Sequence, residues 1–544
     1  MPKLTRRSML ATAAAAGIAG IAGGFLWSHR PRHGAQRAEP PFVPDPAFPN
    51  SLKLPGADGM NGVLEASGAL TMVAKAARYP LLPGKPAAIL AYETEHQGRT
   101  LLNPLLRART GTQLRIKLWN SLDETSIIHW HGFKVDSNND GHPHYAIPGG
   151  ATYDYQFTVA NRAATYWYHP HPHYLTGKQV YRGLAGLFIV EDDEEIALQM
   201  ALDLALGETD IPLVLQDRRF DENGQLVFKP TAEEQLHGHY GAEALVNLTP
   251  RPHLAAATRL YRFRVLNGSN ARLYRLAFRQ GELLLDYHVI GTDGGLLDRP
   301  RTVKEAFLAP GERLDILLDL RATLPGESIT FVSLPFDAMH QEMAGGAAHG
   351  SADHSQHGAH DMAGAPSTAS DGSALDLMRI QVHRRVAYDR AIPQTLSNPG
   401  PVPESTYSPR LVVLDQARGK WRINGTTYQD DATPIVVRQG STEVWDIRNV
   451  QPSMPHPMHI HGFQFRVLSR TGSPEQQQRM SIESGGLAAT DLGWKDTVLV
   501  WPGETVRIVT DFSHPFLGDQ VYMVHCHNLE HEDGGMMVNL KVAV

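Results

Sequence analysis

Ten of the 27 histidines and the single cysteine of this 544-residue chain fall in four short clusters. They are His129-Trp130-His131, His169-Pro170-His171, His456-Pro457-Met458-His459-Ile460-His461 and His525-Cys526-His527-Asn528-Leu529-Glu530-His531, with Met536 shortly after the last. In an extended strand, residues i and i+2 face one side, roughly 6.5–7 Å apart. A His-x-His strand therefore aims two imidazoles into one space. Four such pairs supply eight imidazoles, and one transition-metal ion takes only about four ligands, so the set implies a cluster of ions.

The fourth cluster carries a second site. If His525-Cys526-His527 is extended, both histidines point one way and Cys526 points the other. Cys526 then serves a separate metal on the far side of the strand, where His456, His531 and Met536 are left over from the pairs. Two imidazoles, one thiolate and a weak thioether make the ligand set of a blue-copper electron-transfer site. Electrons arriving there have a short covalent route to the cluster through either flanking histidine. Zinc is the chemical rival, because Cys and His also suit it. The soft, asymmetric set favours copper.

Such pairs need strands to hold them. The 49 Gly and 37 Pro suggest many turns and short strands. Arg115-Ile116-Lys117-Leu118-Trp119-Asn120 alternates as a half-buried strand should. A turn-then-strand unit recurs at Gly111-Thr112-Gln113-Leu114, Pro310-Gly311-Glu312-Arg313, Gly440-Ser441-Thr442-Glu443 and Pro502-Gly503-Glu504-Thr505. His129-Trp130-His131-Gly132-Phe133 is echoed by His459-Ile460-His461-Gly462-Phe463. Internal duplication of a sandwich domain explains both echoes. The domains are placed at 50–195, 205–385 and 405–544. The Pro-rich stretch 39–60 reads as an extended linker, the acidic run Glu191 to Glu195 as a solvated connection, and Pro393 to Pro409 as the second joint. Trp119, Trp421 and Trp445 are expected in the core. His142 and His144, in a Gly/Pro-rich loop, are expected at the surface, and His173 is expected not to ligate.

Thr5-Arg6-Arg7-Ser8-Met9-Leu10 is a twin-arginine pattern followed by a weakly apolar stretch to Trp27, which reads as an export signal over residues 1–38. An uncleaved membrane anchor is the other reading, since Arg30 and Arg32 follow at once. Residues 1–38 hold six Lys/Arg and no acid, so their removal makes the net charge of −7 six units more negative. That balance argues against a nucleic-acid partner. One cysteine excludes an intramolecular disulfide, and in an exported protein a lone Cys is kept for chemistry.

With all four motifs in hand, the sequence resembles the multicopper oxidases, the family of laccases, bilirubin oxidases and copper-efflux oxidases, over roughly residues 60–544. The resemblance implies an all-β chain of three cupredoxin-type Greek-key β-sandwich domains holding four copper ions, one type 1, one type 2 and two type 3. It assigns His129 and His459 to type 2. It assigns His131, His169, His171, His461, His525 and His527 to type 3, and His456, Cys526, His531 and Met536 to type 1. Asp140 and Glu532 are similar to the family's proton donors beside the trinuclear cluster; a carboxylate there could supply the protons that O₂ reduction consumes. The bland alternative is a carboxylate that only orients a histidine. The implied reaction is one-electron oxidation of phenols, aromatic amines or Cu(I) coupled to reduction of O₂ to water. The implied setting is a periplasmic or otherwise exported monomer delivered by the twin-arginine machinery.

Residues 337–364 form a tract rich in His and Met (His340, His349, His354, His357, His360, Met339, Met343, Met362) with Gly, Ala and Ser between. It resembles the Met/His-rich insert of copper-efflux oxidases, although it falls near the end of the second domain here. Met454 matches a methionine that holds substrate copper in those enzymes, but Pro452 stands where they have an acid. Three other functions are set apart by the same residues. A copper-sequestering protein would need the tract but no Cys between histidines. A non-catalytic scaffold would have lost ligands. A copper nitrite reductase normally has two sandwich domains and no complete set of four His-x-His motifs.

Overall fold

A computed structural model describes residues 42–57, 59–340 and 370–544. The residues expected to form an export signal, 1–38, and most of the His/Met tract lie outside these residues. Residues 42–544 form one compact unit. No helix among the described residues is long and apolar enough to cross a membrane.

The alternation read in the sequence becomes paired sheets. A six-stranded sheet containing Gly68–Leu82 and Gln113–Asn120 faces a five-stranded sheet containing Ile128–His131, Ala164–Pro170 and Gly186–Glu191. Met72, Ile116 and Leu118 from the first share one apolar cluster with Trp130, Tyr168 and Phe188 from the second, which makes the pair a sandwich. Two seven-stranded sheets form the next pair, with Phe263 and Ile316 packed against Phe278, Phe331 and Met378. Two five-stranded sheets form the last, closing Trp445 and Ile508 over Ile460, Val524 and Leu540. The strands Ser328–Ser333 and Leu375–Arg384, which flank the His/Met tract, are antiparallel neighbours in the middle pair.

Four readings from sequence change here. Trp119 is 47% exposed. The strand Gln113–Asn120 buries Leu114, Ile116, Leu118 and Asn120, and a period of two puts Trp119 on the opposite face with Arg115 and Lys117. Trp421 and Trp445 are buried as expected. The acidic run is not a solvated connection. Asp192 caps the helix Asp193–Leu202, its side chain accepting from the Glu195 N–H. That helix turns Glu195 into the interior, where it accepts from Arg262 Nη2 at 3.1 Å, Arg264 Nη2 at 2.6 Å and Gln199 Nε2 at 2.9 Å. His142 is buried, with Nε2 2.9 Å from Asn539 Oδ1, because its loop folds back over the last sandwich; His144 stays exposed beside Asp430. The linker residues are extended but docked. Phe48 and Leu52 are buried, and Asn50–Ser51 pairs in parallel with Pro252–Ala257.

Candidate metal centre

Register brings the clusters together. Antiparallel pairing of Ile128–His131 with Ala164–Pro170 sets His129 opposite His169. The same arrangement recurs in the last sandwich, where His456–Ile460 against Gln520–Cys526 sets His459 opposite His525 and Met458 opposite Cys526. The two halves then meet ring on ring. His129 stacks on His461 with centroids 3.7 Å apart, and His131 stacks on His459 at 3.8 Å. The remaining pairs cross the same gap, His171 to His525 at 5.0 Å and His169 to His527 at 5.4 Å. All eight rings are fully buried.

Their nitrogens converge in three groups: His129, His131 and His459; His131, His169 and His527; and His171, His461 and His525. Within each, the candidate ligand atoms lie within 4.8 Å of one another. Hydrogen bonds on the outer nitrogens fix which atom faces inward. His129 Nδ1 donates to the Asp140 carbonyl at 2.6 Å and His459 Nδ1 to the Asp496 carbonyl at 2.8 Å, leaving their Nε2 atoms 3.4 Å apart. His461 Nδ1 donates to Asp140 Oδ2 at 2.7 Å, which points its Nε2 at His525 Nε2, 3.0 Å away. Gly141 makes the first of these contacts possible. It sits at φ +85°, and a Cβ there would lie 2.1 Å from the Ile128 carbonyl oxygen, so the Asp140 loop can press onto the His129 strand only with glycine.

The other face of the Cys526 strand holds a fourth group. Cys526 Sγ is 3.5 Å from His456 Nδ1 and 3.4 Å from His531 Nδ1. Asn528, the cap of the short helix Leu529–Asp533, turns the chain so that His531 returns to the cysteine. His456 Nε2 meets Ser453 Oγ at 3.3 Å, and His531 Nε2 donates to the Leu236 carbonyl at 2.9 Å. Met536 is fully buried; its N–H donates to the His531 carbonyl and its carbonyl accepts from Cys526 N–H. The ten clustered histidines and Cys526 thus fall into two neighbouring centres, with Met536 tied by its backbone to Cys526 and His531. His173 joins neither; its ring stacks on Tyr174 with centroids 3.6 Å apart.

Electrostatics prepares these groups for metal. Burial first, then neighbouring imidazoles, holds His129, His131, His461 and His527 far below the usual imidazole range. Burial brings His169 down to about 4 and His171 and His456 to about 3. These seven rings are therefore neutral and able to ligate at pH 7. His131 Nδ1, His169 Nε2, His171 Nδ1 and both nitrogens of His527 are buried without a hydrogen-bond partner. Leaving a buried polar atom unpaired costs about 1–3 kcal/mol, and bound metal ions would satisfy His131 Nδ1, His169 Nε2 and one nitrogen of His527. Burial also pushes the Cys526 thiol up, so a metal there must displace its proton.

Two acids flank the histidine centre as expected. Asp140 is fully buried, and burial lifts it well above the ordinary carboxylate range. Glu532 lies between His171 Nε2 at 3.4 Å and His525 Nδ1 at 3.2 Å; burial pushes it up, but His171 and His525 outweigh that and hold it low. A third acid, Asp496, went unread in the sequence. Its Oδ1 is 3.0 Å from His131 Nε2, and Arg313 holds it from the middle sandwich. The available signal was Lys495-Asp496, a charged pair directly before the apolar strand Thr497–Val500.

A buried centre of stacked imidazoles beside a cysteine–histidine site is the donor set of a copper protein. Two family models described as multicopper oxidase match residues 92–195 and 404–544. The multicopper oxidase mco of Staphylococcus haemolyticus is 31% identical over 81% of this chain and 82% of its own length. The laccase of Bacillus subtilis is 31% identical over 76% and 78%. The crystal structure of the McoA multicopper oxidase from Aquifex aeolicus superposes with a TM-score of 0.78 at 40% identity, covering 91% of this chain and 99% of that one. The chain belongs to the multicopper oxidase family, an enzyme family that binds copper, and its sandwiches are of the cupredoxin type.

Proposed function

We propose that this chain holds four copper ions and couples one-electron oxidation of phenols, aromatic amines or Cu(I) to four-electron reduction of O₂ to water. The observation that carries the reading is the strand Gln520–Cys526 and its continuation: Cys526 faces His456 and His531, while His525 and His527 face the six other imidazoles. Copper supplies the one-electron steps when bound. His456, Cys526, His531 and Met536 hold the type 1 ion, and His129 and His459 the type 2 ion. His131, His169 and His527 hold one type 3 ion, and His171, His461 and His525 the other.

The protein's own groups do the rest. The Cys526 backbone joins both centres covalently, and the His525 Nδ1 bond to the Cys526 carbonyl, 3.1 Å, adds a second contact along that link. Donors approach beside the partly buried Leu236, whose carbonyl accepts from both His531 and Trp421. The next residue, His237, lines a cavity of about 470 Å³ with Glu234, Tyr240, His340 and Asp371. Asp140, which burial keeps protonated, gives protons toward the histidine centre, and Glu532, held ionised beside His171 and His525, takes up protons and passes them on; both are buried within reach of its ligands. Residues 1–38 direct export by the twin-arginine route, and the working form is a monomer.

Metal analysis with oxygen uptake tests the reading. Purified protein should carry four copper ions per chain and consume one O₂ for every four one-electron donors. Peroxide as the product, or copper-loaded protein that takes up no O₂ with any of the three donor classes, would overturn it.

A further inference from the structure

We infer that Arg313, on the middle sandwich that carries none of the ten clustered histidines, is a positioning residue for the His131/His459 end of the copper cluster and acts through Asp496. The inference rests on the copper assignment above.

Arg313 opens the strand Arg313–Asp319 at the end of the recurring Pro-Gly-Glu turn. Its side chain is 1% exposed and spends every donor it has. Nε donates to the Thr165 carbonyl at 3.0 Å. Nη1 donates to the Gly311 carbonyl at 2.8 Å and to Asp496 Oδ1 at 2.7 Å. Nη2 donates to the Asp293 carbonyl at 3.2 Å and to Asp496 Oδ2. Five N–H groups meet five acceptors, a pattern only a guanidinium can fill; lysine has three donors and no fork.

The residue so clamped orients two rings through different nitrogens. Asp496 Oδ1 lies 3.0 Å from His131 Nε2, which makes that atom the N–H and leaves His131 Nδ1 facing the centre with no other partner. The Asp496 carbonyl takes His459 Nδ1–H at 2.8 Å, which leaves His459 Nε2 facing His129. Thr497 Oγ1, 3.0 Å from Asp496 Oδ1, closes the set. The clamp also explains the glycine of His129-Trp130-His131-Gly132. A Cβ at Gly132 would stand 2.5 Å from Asp496 Oδ2 and 3.0 Å from Arg313 Nη2, so that space belongs to the ion pair. Gly311, at φ +85°, lays the same turn against the His527 ring, where a Cβ would be 2.9 Å from Cγ.

The test compares Arg313→Lys with Arg470→Lys. Arg470 is an equally buried arginine that bridges Asp491 and Glu504 away from the histidines. Both variants should unfold at lower temperature than the parent. Arg313→Lys should keep its blue absorbance per chain and lose non-blue copper selectively. Retention of that copper against a chelator series should weaken by about 10–100-fold, the usual effect of removing a partner that orients a metal ligand, and its electron paramagnetic resonance hyperfine splitting should change. Arg470→Lys should show neither change. If Arg313→Lys does not fold, Asp496→Asn keeps the shape and should give the same selective loss. Unchanged non-blue copper in the Arg313 variant, equal loss in the Arg470 variant, or parallel loss of blue and non-blue copper would each overturn the inference. A parent protein with no non-blue copper signal would instead overturn the copper assignment on which it rests.

Discussion

Acid should destabilise the copper-free protein, and His456 allows the size of that effect to be isolated. In the folded chain His456 is fully buried against Trp421, and burial takes its pKa down to about 3. In the unfolded chain it titrates near 6.5. Between those values the unfolded state binds the extra proton, so stability is present above about pH 6.5 and is lost as pH falls below it. Going from pH 7.5 to 5.5 changes the protonation weight of a group with pKa 6.5 about tenfold, which is about 1.4 kcal/mol per imidazole. Total acid sensitivity mixes many groups, and Glu530, raised to about 7 by burial, works with the opposite sign. The informative quantity is therefore a difference. Equilibrium urea unfolding of copper-free parent and His456→Gln should be run at pH 7.5, 6.5 and 5.5. The parent should lose about 1.4 kcal/mol more than the variant across the range. Equal losses would mean that His456 already takes up a proton in the folded chain, and the argument from a dry, neutral ligand set would fall with it.

Cys526→Ser should abolish the blue absorbance and donor-driven O₂ uptake while copper still binds at the eight histidines; a persistent blue band would refute the assignment of Cys526. Glu532→Gln removes the titratable group but keeps its shape, so reoxidation by O₂ should slow by about 10²-fold with reduction of the type 1 copper unchanged. Unaltered reoxidation would leave Glu532 only an orienting role toward His171 and His525. Glu195→Gln removes a carboxylate shared by two buried arginines and should cost about 3–5 kcal/mol in denaturant unfolding without altering the blue band. A change below about 1 kcal/mol would show that Arg262 and Arg264 are satisfied by Asp210 and Asp315 alone. Deleting residues 341–364 shortens only the connection between two adjacent strands, so fold and copper content should hold. Cu(I) oxidation should fall while phenol oxidation holds or rises; equal rates to the parent on both donors would make the tract a passive linker.

What could be read from the sequence was whatever depends on a period of two. The His-x-His pairs and the inverted face of Cys526 follow from strand geometry alone, and each of the twelve candidate ligands lies in one of the two centres or, for Met536, is tied by its backbone to Cys526 and His531. Trp119 shows how the same rule misleads when residue type is read before register. Tryptophan suggests core, but its neighbours Leu118 and Asn120 own the buried face. What could not be read was charge in the interior. Glu195 sits in a run of acids that looks solvated, and its arginine partners lie more than sixty residues away in sequence. Asp496 and Arg313 are likewise brought together over a separation of 183 residues. No local pattern marks such pairs, because a buried charge is tolerated only for partners that the tertiary fold supplies.

The division of labour among the three sandwiches follows from the same geometry. A duplicated strand pair can place four imidazoles on one face, but it cannot choose which nitrogen each presents, because that depends on the outer hydrogen bond. In this chain the first and last sandwiches supply the rings. Asp140, on a loop of the first, orients His461 of the last, and Asp496 of the last orients His131 of the first. Each half thus fixes a ring of the other, so neither half by itself holds its histidines in the tautomer that faces the centre. The middle sandwich enters this exchange through Arg313, through Asp293, which accepts from the Asp496 and Thr497 N–H groups at 3.3 Å, and through the turn that presses Gly311 on His527. Variants that loosen the Arg313–Asp496 contact of the middle sandwich with the last should therefore lose non-blue copper before they lose the blue site.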